Sequence, residues 1–234
     1  MKTVRLLTVS KNKKHLIFSD AFNSDICRVQ SEFDLFTDPI SISENKEGLP
    51  KVYNVFLNNC RKDQVETAIM IHADVSFDYY SIMKHYLQIQ NKYDIVGLAG
   101  TRKIELSISP LTWFTGSRNY PEERYGRVTH RQFNLGESFF NGHHHPDVKD
   151  VEVSTVDGLC FILNRNVIDS EVRFDERFNF DFYDLDFCLT AITKNHLKIG
   201  TMVEPVIHES VGTSILRPEY LIEERKFREK WQLK

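Results

Sequence analysis

The sequence predicts an α/β fold with a mostly parallel sheet flanked by helices. Through the first half, short β-rich runs alternate with segments of helical period, as crossover connections between parallel strands require. Ala68–Ile71 is moreover a continuous apolar run, the pattern of a strand covered on both faces. With 234 residues and 41% hydrophobic content the chain can bury one substantial core, so a single domain over 1–234 is expected.

Val4–Val9 reads as the first strand and Ile26–Val29 as a second. Leu49–Cys60 reads as a helix with Val52, Val55 and Phe56 on one side. After Ala68–Ile71, Ser76 is the expected N-cap of a helix whose Tyr79, Ile82, Met83 and Tyr86 fall at i, i+3, i+4 and i+7. Asp94–Leu98 returns as a strand. From about Thr101 to Asp150 periodicity is lost among Gly116, Pro121, Gly126, Gly136, Gly142 and Pro146, which predicts a long binding loop or lid. Order resumes with Val151–Val153, an Asp157-Gly158 turn and Leu159–Leu163. A helix starting near Asp184 follows, with the stripe Leu185, Cys188, Leu189 and Ile192. A last strand near Ile199–Val206 leads to His208, and Pro218 fits the first turn of a closing helix carrying Tyr220, Phe227 and Trp231.

Lys+Arg number 30 against Asp+Glu 33, mixed along the length, so no basic field marks a general nucleic-acid binder. The opening MKTVRLLTVSKNKKH has too short an apolar run for a signal peptide, and no stretch reaches the roughly 20 apolar residues of a membrane span, so a cytoplasmic location is expected. Cys27, Cys60, Cys160 and Cys188 are widely spaced without a Cys-x-x-Cys pair, which favours buried thiols.

Ligands of open parallel sheets bind beyond the carboxyl ends of the strands, so polar residues that follow apolar strands are the first to interrogate. Three places qualify: His72-Ala73-Asp74, Asp157 before Gly158, and Val206-Ile207-His208. Carboxylate and imidazole brought to one edge could hold Mn²⁺ or Mg²⁺ with positions left for phosphate oxygens. A departing nucleoside diphosphate needs such positive charge. A hydroxyl nucleophile also needs a base, and Phe182-Tyr183-Asp184-Leu185-Asp186 supplies candidates. Asp184 and Asp186 lie two positions apart and cannot share a helix face, so at most one enters the cleft. Asp184, near the helix N-terminus where the dipole keeps a carboxylate ionised, is the expected base, and simple helix capping is its alternative.

In this order Val156-Asp157-Gly158-Leu159, Arg173-Phe174-Asp175-Glu176, Phe182 to Leu189 and Pro205-Val206-Ile207-His208 resemble the GT-A-fold glycosyltransferases of the family 2-like group. Ile71 to Val75 is similar to that group's His-Asp-Asp-Val form of the DxD motif, with Ala73 where an acidic residue is usual. Val96 to Arg102, with Trp113, Gly126, Arg127, Val128 and His130, resembles its middle block. The resemblance implies a Rossmann-like nucleotide-sugar half over about residues 1–100 and an acceptor-binding, catalytic half over about 101–234. It implies a metal held by Asp74 and His208, Asp184 as base, and Asp157 on donor or acceptor hydroxyls. Ser10 and Asn12 would lie near the nucleotide of a uridine diphosphate (UDP) sugar, and His72, Arg102, Trp113, Gly158 and Asp186 complete the expected donor and acceptor contacts. The implied activity is hexosyl or pentosyl transfer, metal-dependent and inverting, from the UDP-sugar to an acceptor hydroxyl. A glycan or lipid-linked glycan is the default acceptor, with a protein side chain or a modified nucleic-acid base left open.

Bland readings stand beside these. Asp74 alone would be a turn residue and His208 a core-edge histidine, while Trp113 and Phe114 serve either sugar stacking or packing. Adjacent His143, His144 and His145 cannot readily converge on one ion and read as exposed loop. Arg118, Arg124, Arg127 and Arg131 are interspersed with acids, so a phosphate-reading surface and a solvated loop both remain. Two other functions compete. A sugar nucleotidyltransferase would carry a glycine-rich phosphate loop after the first strand, and the chain after Val9 has none. A non-catalytic binding module is permitted by Ala73 and opposed by Asp74, Asp184 and His208.

Overall fold

The computed structural model describes residues 1–11, 19–131, 138–141, 148–209 and 217–233, with the backbone alone at 131 and 138–141. In chain order the elements are β1 (Lys2–Val9), α1 (Asp20–Phe33), β2 (Leu35–Ile42), α2 (Leu49–Lys62), β3 (Thr67–His72), β4 (Val75–Phe77), α3 (Tyr79–Ile89), β5 (Ile95–Gly97) and β6 (Ala99–Thr101). Then come α4 (Trp113–Gly116), β7 (Arg124–Arg131), β8 (Ser138–Asn141), β9 (Asp150–Glu152), β10 (Thr155–Val156), β11 (Cys160–Asn164) and α5 (Arg165–Asp169). The chain closes with α6 (Tyr183–Asn195), β12 (Ile199–Met202), β13 (Pro205–His208) and α7 (Pro218–Trp231).

Among the described residues the strands form two sheets. The larger has the order β2-β1-β3-β11-β5-β12-β9. Its pairs β1–β2, β1–β3 and β5–β12 are parallel, whereas β11 runs antiparallel to β3 and β5, and β9 to β12. The smaller has the order β10-β6-β7-β13-β4, with β8 on β7. This is the expected α/β class: a mixed, largely parallel central sheet flanked by helices, consistent with a GT-A fold.

Successive strand residues point to opposite faces, and the core divides accordingly. Leu6, Ile69 and Ile162 pack with Phe22 and Val29 of α1 and the Tyr79-Ile82-Met83-Tyr86 stripe of α3. Leu7, Met70 and Phe161 face the other side, against Tyr53 and Phe56 of α2, Phe187 of α6 and Phe227 of α7. Cys60, Cys160 and Cys188 are buried free thiols and Cys27 is exposed. No helix of the described residues is long and apolar enough to cross a membrane.

Four local expectations are corrected. Ile26–Val29 lies inside α1, which Ser19 caps by accepting from the Phe22 N–H at 3.2 Å. Phe22 and Val29, seven residues apart, bury one face of that helix, so the apolar run is a helical stripe. The true second strand, Leu35–Ile42, tolerates Pro39 because it sits at the sheet edge. Ser76 belongs to β4, and Asp78 caps α3 by accepting from the Ser81 N–H at 2.8 Å. Ile199–Val206 is two strands, one in each sheet, broken at Val203-Glu204. The 101–150 stretch also contains β7, the centre of the smaller sheet. Its arginines hid the strand, and Gly126 at φ +136° sits where a Cβ would meet the Ala99 Cα at 2.8 Å.

Candidate active site

Parallel register sets Val9 beside His72, so β1 and β3 release the chain at one edge, and Ser10, His72 and Asp74 line one cleft there. Antiparallel pairing of β13 with β4 sets His208 opposite Val75, bringing His208 Nε2 to 3.3 Å from Asp74 Oδ1. His72 joins them: one ligand-capable atom from each of His72, Asp74 and His208 lies within 4.8 Å of the others. Burial would raise the Asp74 carboxyl, but the hydrogen bond from His208 and the charges of both imidazoles pull it below its ordinary value. Burial and the neighbouring His208 push His72 down. Burial also lowers His208, yet its bond to Asp74 and the surrounding carboxylates outweigh that and hold it raised.

This cluster stands where two clefts meet. One, about 710 Å³, is walled by Ser10, Lys11, residues 45–48 with the start of α2, and Asn179. The other, about 600 Å³, is walled by Trp113, Phe114, Asp157, Gly158 and the start of α6. His72, Asp74, Phe180, Asp181 and Arg217 line both. Asp74, Asp184 and His208, far apart in the chain, line the second cleft together.

Asp184 sits in the first turn of α6. Its Oδ2 accepts from the Gly158 N–H at 3.0 Å and its Oδ1 from the Leu185 N–H at 2.8 Å. It does not cap the helix; Phe182 holds the cap position, in the left-handed region at φ 64°, without a side-chain cap bond. The expectation that the helix dipole keeps Asp184 readily ionised is reversed. Burial and the charge of Asp157 push its carboxyl up to about 7, more than its backbone N–H donors pull it down. Asp157 is fixed in turn, Oδ2 accepting from Trp113 Nε1–H at 2.6 Å and Oδ1 from the Leu159 N–H at 2.9 Å. Gly158 is required by close approach: a Cβ there would lie 2.2 Å from the Tyr183 hydroxyl oxygen.

Two expected contacts point elsewhere. Asp186, 1% exposed, accepts from Lys230 Nζ at 2.7 Å and Trp231 Nε1 at 2.9 Å, tying α6 to α7. Two residues along a helix rotate it about 200° from Asp184, out of the cleft. Arg102, just past the end of β6, extends toward Glu123 at 3.7 Å and lines neither cleft. Arg124 is buried with its guanidinium 3.8 Å from the Phe114 ring centroid and donates to Ser117 Oγ and the Phe114 carbonyl, which orders Phe114 instead of exposing a phosphate-binding charge. Asn12, His143, His144, His145 and the Arg131 side chain lie outside the described residues.

The sequence reading missed Phe180, Asp181 and Arg217, which line both clefts. Asp181 accepts from Arg217 Nη2 at 2.6 Å. Their signal was adjacency: the first two flank the 182–189 motif and Arg217 precedes the Pro218 helix start.

No curated protein matches this chain. Matching solved structures include the crystal structure of A197 from STIV, at TM-score 0.46 and 11% identity over 93% of this chain and 98% of that one. They also include the crystal structure of HddC from Yersinia pseudotuberculosis, at TM-score 0.38 and 13% identity over 97% of this chain and 100% of that one. A model of a glycosyltransferase-like family matches residues 12–229, and the chain belongs to that family.

Proposed function

We propose that the protein transfers a sugar from a UDP-sugar to an acceptor hydroxyl with Asp184 as general base. The observation that carries this reading is the seam between the two clefts, where three side chains spaced to hold a cation stand between a nucleotide-sized space and one lined by a carboxyl raised to about 7. The first cleft, lined from both halves of the chain, would take the nucleoside diphosphate. The second would take the sugar and the acceptor.

Among the described residues the first cleft carries more carboxylates (Glu47, Asp74, Asp181, Glu209, Glu219 and Glu223) than cations (Lys11, Lys46 and Arg217). A diphosphate in such a field requires added positive charge. His72, Asp74 and His208 fit a divalent ion with open positions, and their two imidazoles suit Mn²⁺ better than the harder Mg²⁺. Bound there, the ion would supply charge to the diphosphate oxygens; Ala73 leaves that duty to Asp74 and the imidazoles. Arg217, at the seam, adds a second positive group.

Asp184, deprotonated, accepts the acceptor hydroxyl proton as that oxygen bonds to the anomeric carbon. The bond from that carbon to the diphosphate breaks, and its electron pair leaves with the diphosphate. With Asp184 as base and Asp157 held by Trp113 and the Leu159 N–H, the proposed reaction is a single displacement, which inverts the centre. Asp157, oriented by Trp113, offers hydrogen-bond acceptance to sugar hydroxyls. The exposed Phe114 and Phe180 rings give a pyranose face a surface, which favours a glycan acceptor.

The test is hydrolysis and transfer from a panel of nucleotide sugars with and without Mn²⁺. Turnover of a UDP-sugar dependent on Mn²⁺ and lost in Asp184→Asn is expected. Turnover retained in Asp184→Asn would refute its role as base.

A further inference from the structure

Tyr183 precedes the proposed base, and neither the motif reading nor the mechanism above gives it a task. Its ring is packed against Tyr53, Phe161 and Phe174, with centroids 5.9, 6.5 and 6.0 Å away, so its hydroxyl has one position. That hydroxyl lies 3.0 Å from the Gly158 carbonyl oxygen and 3.0 Å from His72 Nε2. A carbonyl oxygen only accepts, so the hydroxyl donates its single proton to Gly158 and accepts from His72 Nε2–H. His72 is then fixed as the Nε2–H tautomer, with its lone pair on Nδ1.

We infer that Tyr183 is a positioning residue: it orients His72 to present Nδ1 to a divalent cation and links that ligand to the turn beneath the base. The inference rests on the cation site proposed above. Gly158 is the other half of the device. Its missing side chain admits the Tyr183 hydroxyl, its carbonyl accepts from that hydroxyl, and its N–H donates to Asp184 Oδ2 at 3.0 Å. Adjacent residues of one helix turn therefore hold Gly158 from both sides, and the run Asp184, Gly158, Tyr183, His72 connects base to ligand through hydrogen bonds. Phe182 fixes the helix start, its left-handed backbone held by packing on Tyr220 and Phe227, with ring centroids at 5.2 and 5.1 Å.

Removing a group that orients a metal-binding imidazole weakens metal affinity about 10–100-fold. The experiment titrates Mn²⁺ into the full chain without nucleotide, reading free Mn²⁺ by electron paramagnetic resonance, with a metal-free thermal melt of each variant to check folding. Tyr183→Phe is expected to raise the Mn²⁺ dissociation constant about 10–100-fold. In a His72→Ala background the same change is expected to matter less than about twofold, since the two residues act through one ligand. Gly158→Ala, which displaces the hydroxyl from the other side, is expected to weaken Mn²⁺ as Tyr183→Phe does, and takes its place if that variant does not fold. Equal loss with and without His72 would make Tyr183 a packing residue and overturn the inference. So would unchanged affinity in Tyr183→Phe or in His72→Ala, with the cation site standing if Asp74→Ala still abolishes binding. No Mn²⁺ binding by the unaltered chain would overturn both readings.

Discussion

The indole N–H of Trp113 donates to Asp157 Oδ2 at 2.6 Å, joining the 101–150 stretch to the turn that carries Gly158. A short bond to a carboxylate is stronger than one between neutral groups, and Trp113 is 7% exposed, so the contact is shielded from water. Trp113→Phe keeps most of the apolar burial and removes the donor. It should destabilise the chain by about 1–3 kcal/mol and slow transfer by loosening Asp157. Thermal melts and initial rates check this; wild-type stability and rate in the variant would make the bond incidental.

Asp157 also acts on Asp184, whose carboxyl is pushed up to about 7 by burial and by that neighbouring charge. Its proton is held in the folded state over a range where the unfolded chain has lost it. The stability this gives is complete below the ordinary carboxylate range near pH 4, falls as pH rises, and is gone above about 7. The proposed catalysis runs the opposite way, because a carboxyl acts as a base only when deprotonated. Transfer rate should climb with pH through about 7 to a plateau, while unfolding free energy declines between about 4 and 7. Asp184→Asn should lose both dependences; a declining stability of the same slope in that variant would assign the titration to another group.

The proximity of Asp74 and His208 gives a binding test independent of turnover. Ligand that binds only the folded state at 100 times its dissociation constant adds about 2.7 kcal/mol, which for a chain of this length raises the melting temperature by roughly 5–10 °C. UDP with Mn²⁺ should produce such a rise, UDP alone much less, and Asp74→Ala should abolish the gain. An unchanged melt with every nucleoside diphosphate would remove the donor site from the proposal.

How much of this was legible in the sequence depended on whether a segment's signal was local. The buried stripes of α2, α3 and α6 and the doubly covered β3 announce themselves, because helical and strand periods are written in consecutive residues. The Asp74, Asp184 and His208 positions were found through strand-end logic and motif order, since each follows or opens an apolar element. Tertiary partners decided the rest. The polar run Arg124–Arg131 becomes a strand only because β6 and β13 lie on either side of it. The pKa of Asp184 depends on Asp157, 27 positions earlier, and on burial that the helix dipole argument ignored. Phe180, Asp181 and Arg217 meet only where two clefts share a wall, which no run of consecutive residues records.

Asp186 tests the division between the two carboxylates of the α6 start. Its oxygens accept from Lys230 Nζ and Trp231 Nε1, and Lys230 also donates to Asp175 at 2.8 Å, so the group locks α7 onto the core. Burial raises the Asp186 carboxyl, and the Lys230 partner opposes that by favouring the charged form. In Asp186→Asn one amide oxygen can still accept from Trp231, but the amide N–H₂ then faces the Lys230 ammonium. Lys230 keeps Asp175, so the loss is that of one charged hydrogen bond, about 1.5–3 kcal/mol, or roughly 3–12 °C in melting temperature. Because this side chain lies outside both clefts, the UDP-sugar KM of the folded variant should match the unaltered protein. Asp184→Asn should do the reverse, removing transfer while UDP and Mn²⁺ still bind. A raised KM in Asp186→Asn at a temperature well below its melt would return Asp186 to the donor site and contradict the geometry of α6.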